Sequence, residues 1–306
     1  AGPGVMALRG LGYDALRAVR PDLVYVAISP FGQDGPYSQH LATDLTLAAM
    51  GGAMALNGDT DRRPVRITVP QTWYHASVES ALGALVAHHL RLQTGESQFV
   101  DTSVQAAVFW TGLQAMISHA IQGHDIERNG TVLQLTTLTT PLVYPCADGE
   151  VCLIATKDFL LGAMSWMVEK GAVTQEWADA EDWQSYEARL LTGEPIKYTH
   201  AELREAITAF TMLCTKAELL QGGLDRRITL APVNTVADVL ASEQLAAREY
   251  WEPLALGDGR TVNAPGAFIK ASATPVRWER PAPMLGQHSE EILGSLTRTE
   301  PRVPSP

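Results

Sequence analysis

Two titratable residues four positions apart, His75 and Glu79 in VPQTWYHASVESALGALVAHHL (69–90), are the first candidates for chemistry in this chain. On a helix that spacing puts both on one face, where an imidazole beside a carboxylate suits acid–base or nucleophilic work. The bland reading, a hydrogen-bonded pair at a helix start where glutamate is favoured by the macrodipole, carries more weight. A second group lies upstream. PFGQDGPY (30–37) places Gly32, Gln33 and Gly35 in a loop directly after an apolar run, where open α/β sheets bind ligands. Asp44 could cap its own helix or lie near a bound ligand, and Arg62, Arg63 and Arg66 form a local basic cluster that suits an anion or simply a solvated turn. Asp101 reads as a residue that fixes the turn after its strand. The adjacent His88 and His89 face different directions, and the three cysteines (Cys146, Cys152, Cys214) have no metal spacing, so no metal site is expected.

Composition sets the frame for these residues. The chain has 306 residues, 46% hydrophobic and 19% charged, enough for a large core or two domains. The net charge of −11 argues against nucleic acid or anionic membrane as partner, since both need clustered Lys and Arg. Neither a run of eighteen apolar residues nor a secretory leader is seen, and the cysteines read as buried thiols in a reducing compartment, so the expected location is cytoplasmic.

The elements follow from periodicity. LGYDALRAV has helical spacing, LVYVAIS reads as a buried strand, and a helix starts at Asp44 and ends at Gly51-Gly52. ITVP reads as a short strand and Ala76–Leu92 as a helix, with Val78, Leu82, Leu85, Val86 and His89 on or near one face. QFVDTS is the next strand, followed by one largely apolar helix suited to deep burial or a subunit interface. PLVYPCADGEVCLIAT is a hairpin signature, the helices carrying Trp166, Trp177 and Trp183 complete a smaller unit, and ITLAPVNTV gives a strand and a cap at Asn234 or Thr235. The seven tryptophans suit core and interface positions.

VYVAISPFGQDGPY, TDLTLAAMGG, TGESQFVDTSVQAAV, APVNTVADVLASEQLAARE and PAPMLGQHSEEIL, in this order, resemble the class III CoA-transferases, the carnitine and bile-acid CoA-transferase superfamily that also holds the α-methylacyl-CoA racemases. The resemblance implies an α/β fold in which a Rossmann-like large lobe, built from both chain ends, joins a smaller α+β lobe, two chains interlocking as a dimer. The implied division is 1–125 for the first part of the large lobe, 126–137 for a linker, 138–217 for the small lobe and 218–306 for the return. It also implies that the family's opening strand–helix–strand lies outside this sequence. Members move CoA from an acyl-CoA to a carboxylic acid, with the CoA thioester as substrate and no permanently bound cofactor; partners would be a second copy or a homologous subunit. An aspartate attacks the thioester and carries mixed-anhydride and enzyme-thioester intermediates, which splits one hard exchange into easier steps.

Two positions depart from that pattern. Laying the 69–83 segment over the family's VPVADLAAGLYAALG puts Trp73 in the place of the nucleophilic aspartate, and an indole carries no nucleophile. The racemases' GHD motif reads ATD here, with Thr43 where their histidine stands, so both racemase groups are absent. The catalytic residue is thus left unknown, with His75 and Glu79 the remaining candidates. Gly32, Gln33, Gly35, Thr43, Asp44 and Arg66 are the expected contacts to the CoA thioester.

Overall fold

A computed structural model describes residues 2–134, 139–276, 280 and 282–297, and the chain divides into two units, Ala1–Ala231 and Pro232–Pro306. The first unit begins with α1 (Val5–Leu8), α2 (Tyr13–Val19) and β1 (Val24–Ser29), continues through α3 (Asp44–Met50) and the long α4 (Thr72–Thr94), and returns as β2 (Gln98–Ser103). β1 and β2 are parallel, in register from Val24 opposite Gln98 to Ser29 opposite Ser103. β1 is half-buried rather than buried, only Ser29 being fully enclosed, because this sheet has two strands.

The ITVP segment is irregular and not a strand; α4 begins at Thr72, four residues before the expected start, so Trp73 sits in the first turn of a helix. Its packed face is also not the expected one. Thr72, Ala76, Ser80 and Ala87 are buried, whereas Val78, Leu82, Leu85 and Val86 are exposed. Small residues win the inner face because α4 runs close to β2: a Cβ on Gly83 would come within 2.9 Å of Val100 Cγ1. The apolar helix after β2 is two helices, α5 (Val104–Thr111) and α6 (Leu113–Gln122), broken at Gly112. Val104, Ala107 and Val108 join Leu47 and Ala76 in a small core, but Trp110 and Ile121 are exposed, so the segment is not deeply buried.

The expected linker carries structure: β3 (Val132–Gln134) pairs antiparallel with β4 (Thr139–Pro141), while residues 135–138 lie outside the described residues. The hairpin β5 (Val143–Cys146) and β6 (Gly149–Leu153) forms as its two-residue Ala147-Asp148 turn requires. α7 (Lys157–Glu169), α8 (Gln175–Asp179), α9 (Tyr186–Thr192), α10 (His200–Met212) and α11 (Lys216–Arg226) follow, and β7 (Leu230–Pro232) joins the hairpin as a third strand. Tyr144, Val151, Trp166, Ile207 and Phe210 centre the larger core, and the Trp166 and Phe210 rings meet edge-on at 4.8 Å. Burial of each such large side chain contributes about 1.5–3 kcal/mol. The expected boundary at 217 falls inside this core, to which Leu219, Ile228 and Leu230 also belong.

Cys146 and Cys214 are buried, but Cys152 is exposed, a correction that follows from the alternating burial along β6. The second unit holds α12 (Val236–Leu240), α13 (Glu243–Ala247), the antiparallel hairpin β8 (Trp251–Ala255) and β9 (Thr261–Pro265), and α14 (Ser289–Thr297). Thr235 is the cap of α12, closing a reciprocal box with Asp238. Ala241 and Ser242 separate α12 from α13. Of the seven tryptophans, Trp166 and Trp183 are core residues, Trp73 and Trp110 are exposed, and Trp278 lies outside the described residues. No described helix is long and apolar enough to cross a membrane.

Candidate active site

The carboxyl ends of β1 and β2 and the first turn of α4 hold the candidates. Gly32 and Gly35 adopt left-handed φ angles of 93° and 81°, which a side-chain-bearing residue rarely takes, and so give the 30–35 loop its path. Asp101 on β2 fixes that loop: its Oδ2 accepts from the Gln33 backbone N–H at 2.9 Å. The Gln33 amide donates to Ser29 Oγ at 3.3 Å, so this loop is braced by both strands.

Thr43, not Asp44, caps α3, accepting from Thr46 N–H while the Thr46 hydroxyl accepts from Thr43 N–H. Asp44 instead caps the other helix. Its Oδ1 accepts from the backbone N–H groups of Gln71 and Thr72, both at 2.9 Å, and from the Thr72 hydroxyl at 2.8 Å. Gln71 offers no side-chain cap to α4, so this carboxylate supplies both the acceptor and the negative charge that a helix start favours. Burial pushes the Asp44 pKa up, but the Thr72 and Gln71 hydrogen bonds and the nearby Arg66 charge outweigh it and hold the carboxyl below its ordinary value.

Trp73 is the second residue of α4, with 39% of its surface exposed. His75 is half-buried and Glu79 exposed, and among the described residues no hydrogen bond or ion pair joins them. The pair that helical spacing suggests is therefore not made. His75 lines a cavity of about 140 Å³ with Asp44, Arg66, Thr72 and Asn57. Arg66 spends one guanidinium nitrogen on the Ile67 and Thr68 carbonyls, which folds the 66–68 turn back on itself. Gln33 lines a different cavity, of about 270 Å³, with Tyr13, Tyr25 and Phe99. The structure thus brings Asp44, Arg66 and His75 together, and leaves Gln33, with the Gly32–Gly35 loop, at the strand ends.

Sequence reasoning missed a third cavity, of about 520 Å³, between the Gly51-Gly52 corner and α5–α6. Phe109, Leu56 and Ile126 line it, and the His119–Asp125 pair, 2.8 Å apart, stands at its edge. The Gly-Gly pair and Gly112 were its visible signals. Among the described residues no group of three or more His, Cys, Asp or Glu could hold a metal.

Comparison with known proteins gives the family. The family model described as CoA-transferase family III matches residues 1–289. The succinyl-CoA:(R)-benzylsuccinate CoA-transferase subunit BbsE of Thauera aromatica is 31% identical over 303 residues, covering 95% of this chain and 70% of that protein. The succinate–glutarate CoA-transferase of Agrobacterium fabrum is 29% identical over 300 residues, covering 96% and 70%. The crystal structure of a CaiB/BaiF family protein from Brucella suis superposes with a TM-score of 0.75 at 24% identity, covering 96% of this chain and 73% of that one, which establishes the mixed α/β fold. A family match over nearly the whole chain and a relative above 30% identity lead to one conclusion: the chain belongs to CoA-transferase family III.

Proposed function

We propose that this chain takes part in moving CoA between an acyl-CoA and a carboxylic acid as a subunit that does not itself supply the nucleophile. A homologous, aspartate-bearing chain contributes the attacking carboxylate. The observation that carries this reading is Trp73: where the family resemblance puts an aspartate, the first turn of α4 presents a half-exposed indole. Neither sequence candidate replaces it, since Glu79 lies six residues further along the helix and His75 has no carboxylate partner among the described residues, and the carboxylate that does stand at this turn, Asp44, is engaged through Oδ1 in capping α4. In the partner the carboxylate would attack the thioester carbonyl and release CoA thiolate; the thiolate would return to the aspartyl carbon and free the first acid. The second acid would reverse both steps, leaving its own CoA thioester and a regenerated carboxylate. The CoA contacts on this chain would be the 32–35 loop, Thr43, Asp44 and Arg66.

The same reading includes an interlocked pair of homologous chains in the cytoplasm, each with a large lobe (1–125 and the return, 218–306), a linker (126–137) and a small lobe (138–217), Leu219, Ile228 and Leu230 of the return packing in the small lobe's core. The exposed apolar row Tyr74, Val78, Leu82, Leu85 on α4 supports a partner chain, because such a stripe is costly in water. Buried Cys146 and Cys214, unpaired, support a reducing compartment.

The test is peptide mass spectrometry on the native assembly incubated with acyl-CoAs and hydroxylamine, which converts activated carboxyls to hydroxamates. The expected result is a hydroxamate on an aspartate of a copurifying homologue and none within residues 69–90 here. A hydroxamate at Glu79 would make this chain catalytic by itself, and no modified chain at all would sink the transfer reading. Trp73→Asp in the complete assembly should create a new hydroxamate site at residue 73.

A further inference from the structure

We infer that the cavity between the Gly51-Gly52 corner and α5–α6 seats the uncharged, apolar body of an acyl group, which rests on the transfer reading above. The space beside Asp44, Arg66 and His75, about 140 Å³, is less than half of the roughly 300 Å³ at which small-molecule pockets begin. The neighbouring cavity, at about 520 Å³, lies well within their range. The two stand back to back, because Ala53, Asn57, Val108 and Thr111 line both. A substrate with its carbonyl in the smaller space therefore has the larger one for the rest of its body.

Glycine shapes this space. Gly51 ends α3 directly against α5, where a Cβ would come within 2.7 Å of Val108 Cγ1, and Gly52 turns the chain with a left-handed φ of 84°. Gly112 then breaks α5 from α6, and Ala115 on α6 is small enough to leave the opening clear. Phe109 and Ile126 line the cavity and keep 44% and 37% of their surface exposed. An apolar ligand body would cover that area, and burial of such surface favours binding in proportion to its extent.

The charges define the body further. Among the described residues that line this cavity none is Lys or Arg, and its one carboxylate, Asp125, already holds His119 Nδ1 at 2.8 Å. A second carboxylate on the ligand would meet a like charge there and an imidazole that is already engaged. Thr111 spends its hydroxyl on the Val108 carbonyl at 2.7 Å. Asn57 differs: hydrogen bonds to Met54 and Val65 fix its backbone, while its side-chain amide forms none among the described residues. Because Asn57 lines both cavities, that amide is a donor for the acyl carbonyl where the two meet. The site thus suits an aryl or branched alkyl body and disfavours a dicarboxylic acid.

The experiment is equilibrium binding of 3-phenylpropionyl-CoA, succinyl-CoA, acetyl-CoA, free CoA and methyl 3-phenylpropionate to the purified full chain. The phenylpropionyl thioester should bind about tenfold or more tightly than the acetyl and succinyl thioesters, and Ala115→Trp, which fills the cavity from α6, should bring that ratio down to about twofold. Ala115→Leu should give an intermediate ratio, which keeps the measurement decisive if the tryptophan variant unfolds. Equal affinities in the wild type, a preference for succinyl-CoA, or a ratio that Ala115→Trp leaves unchanged would overturn the proposal. Failure of the transfer reading looks different: no CoA species binds, while the methyl ester still binds saturably and loses affinity in Ala115→Trp, which keeps the apolar seat. Absence of ester binding as well would overturn the seat itself.

Discussion

The hairpin-and-helix region from Tyr144 to Leu230 and the α4 corner are built on opposite principles. The first encloses Tyr144, Phe159, Leu160, Met167, Ile207 and Phe210 almost completely, with Trp177, Trp183 and Tyr198 stacked on its flank at ring separations of 4.5–6.2 Å. The second packs only Leu47, Ala76, Val104, Ala107 and Val108 and turns the large residues of α4 outward. The region with the better core is stabilised by its own side chains. The region with the functional candidates relies on a hydrogen-bonded cap and on small residues that let helices and strands approach closely. The difference shows that a residue's position near the site and its contribution to stability come from separate parts of this chain.

The comparison is most exposed to a core truncation. Phe210→Ala, at a fully buried ring packed on Trp166, should cost about 3–5 kcal/mol in a denaturant titration; a loss below about 1 kcal/mol would mean that this core is not the dominant one. Asp44→Asn sharpens the other side. Losing the negative charge at the start of α4 should cost about 0.3–1 kcal/mol, and the effect has a defined pH dependence. The folded pKa of Asp44 is depressed, so its contribution is complete above the ordinary value of 3.8 and disappears as pH falls through the lower folded value. Wild type and Asp44→Asn should therefore converge in melting temperature only in acid; a constant gap at every pH would remove the electrostatic account. The smallest effect belongs to Leu85→Ser, on the outward face of α4 with 67% exposure. It should change the stability of the isolated chain by no more than about 0.5 kcal/mol while weakening association in sedimentation measurements.

Local signals were legible and non-local ones were not. The β1 strand, the start of α3 and the β5–β6 hairpin follow from runs, caps and turn residues that lie within a few positions of one another. The start of α4 was misplaced because its cap, Asp44, sits 28 positions upstream of Thr72, and because ITVP has strand-like composition without a strand to pair with. The membership of β7 in the small sheet was invisible for the same reason: its partner strand is far away in sequence. The helix face was misread because apolar spacing alone does not say which side packs, and here Gly83 and the alanines decide it by allowing close approach. At the site, the glycine loop could be anticipated, whereas its brace by Asp101, which was expected to fix the turn after its own strand, and the cavity shared by Asp44, Arg66 and His75 required the fold.

Asp44 also has a consequence for ligand binding. One carboxylate oxygen already serves three donors at the start of α4, and the same side chain lines the cavity beside Arg66 and His75. A molecule that takes Oδ1 of Asp44, or the donors it serves, competes with the helix start for them, so occupancy of that kind and order in the first turn of α4 are linked. By reciprocity, a change that frays that turn alters affinity in the cavity by the same factor as occupancy alters fraying. Trp73, one residue beyond Thr72 in α4, takes its place from that first turn.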